Sequence, residues 1–164
     1  MAAGLVFTLV LGLSFGLWDG ADAGCQLRAP TKLDCPAGWS WFERRCFVFV
    51  RYKKSWAAAE KYCLSLDSHL ASYHSAEEYK FIRNLVHQAT GKHTETWIGG
   101  YDSAQERTWF WSDGSKFMVT NWGPGEPNNG RGIEDCMDIN IKGQDNVNDD
   151  DCAKKLPFIC VIPV

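Results

Sequence analysis

The chain has 164 residues, of which 45% are hydrophobic and 13% aromatic, and a formal net charge of −3. That is enough apolar material for one globular domain with a real core. The near balance of charge excludes the basic footprint that nucleic acid or an anionic membrane surface requires.

Residues 1–17 carry no charged side chain and contain the run Leu5-Val6-Phe7-Thr8-Leu9-Val10-Leu11-Gly12-Leu13, followed by the small-x-small sequence Ala21-Asp22-Ala23. The pattern predicts a secretory signal peptide over 1–23, although no Lys or Arg precedes the apolar run. The run is short for a bilayer span, so no membrane insertion is expected. Losing the leader removes Asp19 and Asp22 and leaves 18 acids against 17 bases. Residues 24–34, with Cys25 and Arg28-Ala29-Pro30, read as an N-terminal arm before a domain over 35–164.

Ser55 through Cys63 predicts a first helix: Ser55 is a good N-cap, and Trp56, Ala59, Tyr62 and Cys63 fall on one face. His69-Leu70-Ala71-Ser72 is a candidate short strand. A second helix runs from Ser75 to about Gln88, with Ser75 and Glu78 in a capping-box pattern, Phe81, Ile82, Leu85 and Val86 at helical spacing, and Gly91 just beyond its end. Then the texture changes to short runs set off by turn residues: Thr96–Gly99, Thr108–Trp111, Met137–Asn140 and Phe158–Val161, all read as strands. The stretch between Asp113 and Asp135 has little regular pattern, and a loop of that length in a compact domain is usually functional.

That loop contains Glu126-Pro127-Asn128 and leads to Glu134, with Asn148-Asp149 following. Carboxylates mixed with amide carbonyls in one region are the donor set that Ca²⁺ takes, since hard cations bind six to eight oxygens. The proline restricts its neighbour, and a cis peptide bond would turn Glu126 and Asn128 to the same side. The competing interpretation is a polar loop of solvated acids.

Seven cysteines, Cys25, Cys35, Cys46, Cys63, Cys136, Cys152 and Cys160, behind a secretory leader predict a disulfide framework with one left over. Zinc is disfavoured, because no Cys-x-x-Cys pair and no Cys/His cluster occurs at ligand spacing. Six cysteines allow fifteen connectivities, and spacing alone does not choose among them.

From Cys35 to Cys160 the chain resembles the long form of the C-type lectin domain. The resemblance rests on Cys35-Pro36-Ala37-Gly38-Trp39 with Cys46-Phe47, Trp97-Ile98-Gly99-Gly100, Trp111-Ser112-Asp113-Gly114, Asn121-Trp122 and Glu126-Pro127-Asn128, in that order. It implies an α+β fold with two helices packed on antiparallel sheets, a long calcium-binding loop, and bridges Cys35–Cys46, Cys63–Cys160 and Cys136–Cys152. It also implies a primary Ca²⁺ site at Glu126, Asn128, Glu134, Asn148 and Asp149 that doubles as the carbohydrate site. Glu-Pro-Asn is similar to the mannose-type arrangement, implying mannose, N-acetylglucosamine or fucose as ligand. A second calcium set maps onto Asp102, Glu106, Asn129, Glu134 and Asp135, with Asn129 where an Asp is common. The chain departs from the pattern at Val147, where a Trp is usual, and in a longer loop over Lys142–Asn146. Asp150 and Asp151 are expected to be surface acids.

Trp39, Trp56, Trp97, Trp109 and Trp111 suit core positions, and His69, His74, His87 and His93 show neither metal spacing nor a nucleophile partner. No nucleophile elbow, zinc-protease motif or phosphate-binding glycine loop is present, so catalysis is not expected. The expectation is a secreted, extracellular lectin of innate defence that recognises glycans. Cys25 is expected to link a disulfide-bonded homodimer, because an odd cysteine in a secreted chain suggests an intermolecular bridge. The alternative is an ice-binding role, since small secreted fish lectins and type II antifreeze proteins share this resemblance.

Overall fold

Ser40–Phe42 (β1) and Arg45–Lys54 (β2) form the hairpin that opens the domain, and Trp56–Leu64 (α1) follows at once. Next come His69–Leu70 (β3), Ala76–Thr90 (α2), Thr96–Tyr101 (β4), Phe110–Trp111 (β5), Glu134–Ile139 (β6), Val147–Asp151 (β7) and Leu156–Pro163 (β8). This computed structural model describes residues 35–119 and 121–163; the leader over 1–23, the arm over 24–34 and Cys25 lie outside them.

The strands form one eight-stranded sheet in the order β1-β2-β8-β4-β6-β7, with β3 added on β8 and β5 on β4. The expectation of antiparallel sheets therefore needs correction, because β4 and β8 pair in parallel at Trp97 and Phe158. A parallel pair needs a long crossover, and the whole stretch between Tyr101 and Leu156 separates these two strands. No local pattern reports such a partnership.

Strand alternation sorts the core into two clusters. On β8, Phe158 and Cys160 join Ala59 and Cys63 of α1, Leu70 and Trp97, whereas Ile159 and Val161 join Ile82 and Val86 of α2, Phe47, Ile98 and Ile139. The period of two thus puts one helix on each set of side chains. Two tryptophan N–H groups find backbone partners: Trp97 Nε1 donates to Lys54 O at 3.0 Å, and Trp56 Nε1 donates to Ile98 O at 2.8 Å.

α2 begins as its sequence predicts, with Ser75 Oγ accepting from the Glu78 N–H at 3.0 Å, and it ends at left-handed Gly91 with φ 77°. Glu78 does not return the bond to Ser75. Its carboxylate accepts from the His74 N–H at 2.8 Å and pairs with Arg45 at 2.7 Å, pinning α2 to β2. β7 is the element local propensity misses, since Val-Asn-Asp-Asp-Asp is poor strand sequence; pairing with β6 overrides it. The disulfides are Cys35–Cys46, Cys63–Cys160 and Cys136–Cys152, the set implied by the resemblance.

Candidate metal and ligand site

β6 and β7 are the platform for the site, and the long loop folds back over them. The Gly123 N–H donates to Val147 O at 2.8 Å and the Val147 N–H to Asn121 O at 3.1 Å, while Trp122 forms a bridge with Val147. The Glu126–Pro127 bond is cis.

Asp149 organises the centre. It is only 1% exposed, and its two carboxylate oxygens accept the backbone N–H groups of Asn128 (3.1 Å) and Asn129 (2.7 Å). Asn128 Nδ2 donates to Glu126 Oε2 at 2.5 Å, an adjacent donor and acceptor at the solvent edge. Glu134, the first residue of β6, accepts the Gly130 N–H at 2.7 Å and gives its own N–H to Asn129 Oδ1 at 3.1 Å. Gly130 packs closely there: an added Cβ would lie 2.7 Å from Glu134 Oε2 and would displace that carboxylate. Buried Asn148 donates to the carbonyl of Asp149 at 2.6 Å and to Asp138 Oδ2 at 3.3 Å.

Electrostatics mark this group as short of positive charge. Burial pushes the Glu126 carboxyl up, its hydrogen bond with Asp149 and the charges of Asp149 and Glu134 push it further, and Asn128 opposes them. Among the described residues no ion pair involves Glu126, Glu134 or Asp149. Three carboxylates, two amides and the Asp149 carbonyl are an all-oxygen donor set without an internal counter-ion, the chemistry that fits a hard divalent cation.

The second set lies alongside. Asp102 is 2% exposed, so it is no solvated turn residue; one of its oxygens accepts the Arg107 N–H at 2.7 Å, and the other is buried without a partner. Burial pushes its carboxyl up against that hydrogen bond, and Glu106, Asp135 and Asp149 add to the rise. Asn129 Nδ2 donates to Glu106, and Asp135 contributes its carbonyl to the Asp102 N–H at 3.1 Å. Asn129 thereby bonds both Glu106 of this set and Glu134, which the two sets share.

Asp150 corrects the expectation of a surface acid. Its side chain is 14% exposed and pairs with Lys154, because register with Cys136 on β6 turns it inward. Asp151 caps the following turn through the Ala153 N–H at 2.9 Å. Among the tryptophans Trp97 and Trp111 are fully buried, and Trp109 packs against Trp122 with centroids 4.9 Å apart. His69 bonds Glu60 at 2.6 Å. Sequence reasoning passed over Glu95, Asp138 and Lys154, although an acid between Met137 and Ile139 in a buried strand was a usable signal.

The lectin C-type domain family matches residues 52–162. Ladderlectin of Oncorhynchus mykiss is 46% identical over 129 residues, covering 79% of this chain and 68% of that protein. The galactose-specific lectin nattectin of Thalassophryne nattereri is 40% identical over 154 residues, covering 94% of each. Herring type II antifreeze protein superposes with a TM-score of 0.74 at 32% identity, covering 79% of this chain and 99% of that one. With the family match spanning most of the described domain and relatives of this identity along the chain, the protein belongs to the C-type lectin domain family.

Proposed function

We propose that the protein is a secreted lectin, without catalytic activity, that binds mannose-type sugars through calcium held by Glu126, Asn128, Glu134, Asn148 and Asp149. The observation that supports this most is the Glu126–Asn128 pair: an acceptor and a donor side by side at the solvent edge, bonded to each other above buried Asp149. A sugar hydroxyl is donor and acceptor at once, so such a pair satisfies both of its roles. A cation held by these residues would supply a Lewis-acidic anchor for hydroxyl oxygens. Asp149 holds the loop backbone in place, Glu134 is fixed by the Gly130 N–H, and the two together keep Glu126 and Asn128 at the rim. Nattectin is named for galactose; identity across the whole domain does not carry sugar choice, which depends on the order of donor and acceptor at this rim.

Single-site affinity is expected to be weak because little surface is buried on a monosaccharide, so multivalency matters. A Cys25-linked homodimer would supply it, and a dimer band on non-reducing electrophoresis that collapses with reductant is the expected result. In the function test, the protein is retained on immobilised mannan in calcium, released by chelator and competed by mannose more strongly than by galactose. Retention in chelator, or stronger competition by galactose, contradicts this reading. The likeness to herring antifreeze protein supports a second reading, ice binding, which an ice-growth assay on the same sample tests.

A further inference from the structure

Outside both loop sets, Glu95, Asp138 and Asp150 bring carboxylate oxygens within 4.8 Å of one another. They come from three segments of chain: Glu95 just ahead of β4, Asp138 on β6 and Asp150 on β7. In register Asp138 faces Trp97 and Asn148, and Asp150 faces Cys136, so the ladder itself aims these side chains to one face. One cation is already present. Lys154 Nζ lies 3.1 Å from Glu95 Oε1 and also contacts Asp150, four residues before it.

Lys154 does not complete the group. Asp138 is 0% exposed; its Oδ2 has only the 3.3 Å bond from Asn148, and its Oδ1 is buried with no partner at all. A carboxylate oxygen sealed from water without a donor is costly, and each such atom in a native fold calls for a missing partner. One ammonium among three carboxylates leaves an excess of negative charge that it cannot meet. Lys154 sits on a flexible stem with its side chain 37% exposed, so it can leave for solvent without disturbing the sheet.

We propose that Glu95, Asp138 and Asp150 form a further site for a hard divalent cation, with Lys154 as a tethered competitor that enters when the cation is absent. The donor set is all oxygen, with no imidazole or thiolate, which selects Ca²⁺ or Mn²⁺ over zinc or copper. The orphan Asp138 Oδ1 gains its partner, and Lys154 moves to the surface. Because Asp138 also holds the Asn148 amide, the site abuts the loop site through one side chain.

Trp97 supplies a local reporter, since it is fully buried and directly opposite Asp138 in the β4–β6 register. The experiment is a Tb³⁺ titration read by tryptophan-sensitised luminescence, followed by Ca²⁺ calorimetry. The background is a Glu126→Gln/Glu134→Gln protein, in which both loop sets lose a carboxylate. Adding Asp138→Asn is expected to weaken the remaining binding by about tenfold or more, and adding Lys154→Gln to strengthen it by about tenfold, one contact charge in a shielded site being worth that much. The proposal stands only if the two changes move affinity in opposite directions. Absence of residual binding, or indifference to either change, overturns it; if Asp138→Asn fails to fold, Lys154→Gln decides alone. Sugar does not enter the readout, so failure of the proposed lectin activity is seen separately on mannan.

Discussion

Glu126 accepts and Asn128 donates, and two residues apart they set the polarity of the rim on which a hydroxyl pair would sit. Exchanging them as Glu126→Gln with Asn128→Asp preserves the net charge and the number of oxygen donors while reversing that polarity. Calcium affinity is expected to hold, and mannose binding to fall, because one unmade buried hydrogen bond costs about 1–3 kcal/mol, up to about a hundredfold. Family resemblance to the galactose-type order predicts a small gain for galactose. Competition by both sugars on immobilised mannan at saturating calcium measures this; an unchanged preference for mannose would show that these two side chains do not choose the sugar.

At the scale of the element, the long loop is held less by its own regularity than by what it touches. Among its described residues it contains one 3₁₀ turn, Gly130–Gly132, between left-handed Asn129 and the start of β6, and backbone N–H groups around that turn are taken by Asp149 and Glu134. Gly130 therefore has a testable role. Its φ is not in the left-handed region, so alanine is conformationally allowed, but the added Cβ meets the Glu134 carboxylate at 2.7 Å. That carboxylate is the flexible end of a side chain and will give way, so Gly130→Ala should leave the fold and melting temperature of the calcium-free protein nearly unchanged. Calcium affinity should drop by roughly tenfold, since a ligand displaced by even a fraction of an ångström loses its place in the coordination shell. Calorimetry with Ca²⁺ checks this; an unaffected affinity removes Glu134 from the proposed metal set.

For the whole molecule, the proposed calcium site predicts that stability, metal and pH are coupled through the same acids. Cys63–Cys160 spans a sequence separation of 97 and ties α1 to β8, the longest closure among the described disulfides, so the domain is expected to keep its fold while the charged loop lacks a cation. Glu126 then works against the calcium-free fold. Its carboxyl is pushed above the usual range in the folded state, so the folded protein takes up a proton more readily than the unfolded chain, and its contribution to stability improves as pH falls through that raised value. Calcium at the proposed site would reverse the dependence, because protons would compete with it for the carboxylates. In chelator at pH 7, Glu126→Gln is expected to melt above the parent protein, with the gap closing toward acid. In calcium, the stabilisation of the parent is expected to shrink between pH 7 and 5. Calorimetric melts of both proteins in both buffers are the measurement, and a Glu126→Gln protein that melts lower in chelator at pH 7 would contradict the sign.

The amino-acid sequence by itself determined the parts that depend on neighbours along the chain. Ser75, Glu78 and Gly91 mark both ends of α2, because capping is chemistry within a few residues, while Ser55 stands at the N-cap position of α1 without a side-chain cap bond. The oxygen-rich composition around Glu126, Asn128, Glu134, Asn148 and Asp149 was legible as a hard-cation donor set, and the family resemblance added the expectation that the same residues form the carbohydrate site. Tertiary structure alone decided what distant strands bring together. The parallel pairing of β4 with β8 has no local pattern behind it, and β7 becomes a strand only because β6 lies beside it. That same ladder turns Asp150 from an apparent surface acid into a neighbour of Asp138 and Glu95, since register, and not composition, fixes which face a side chain takes.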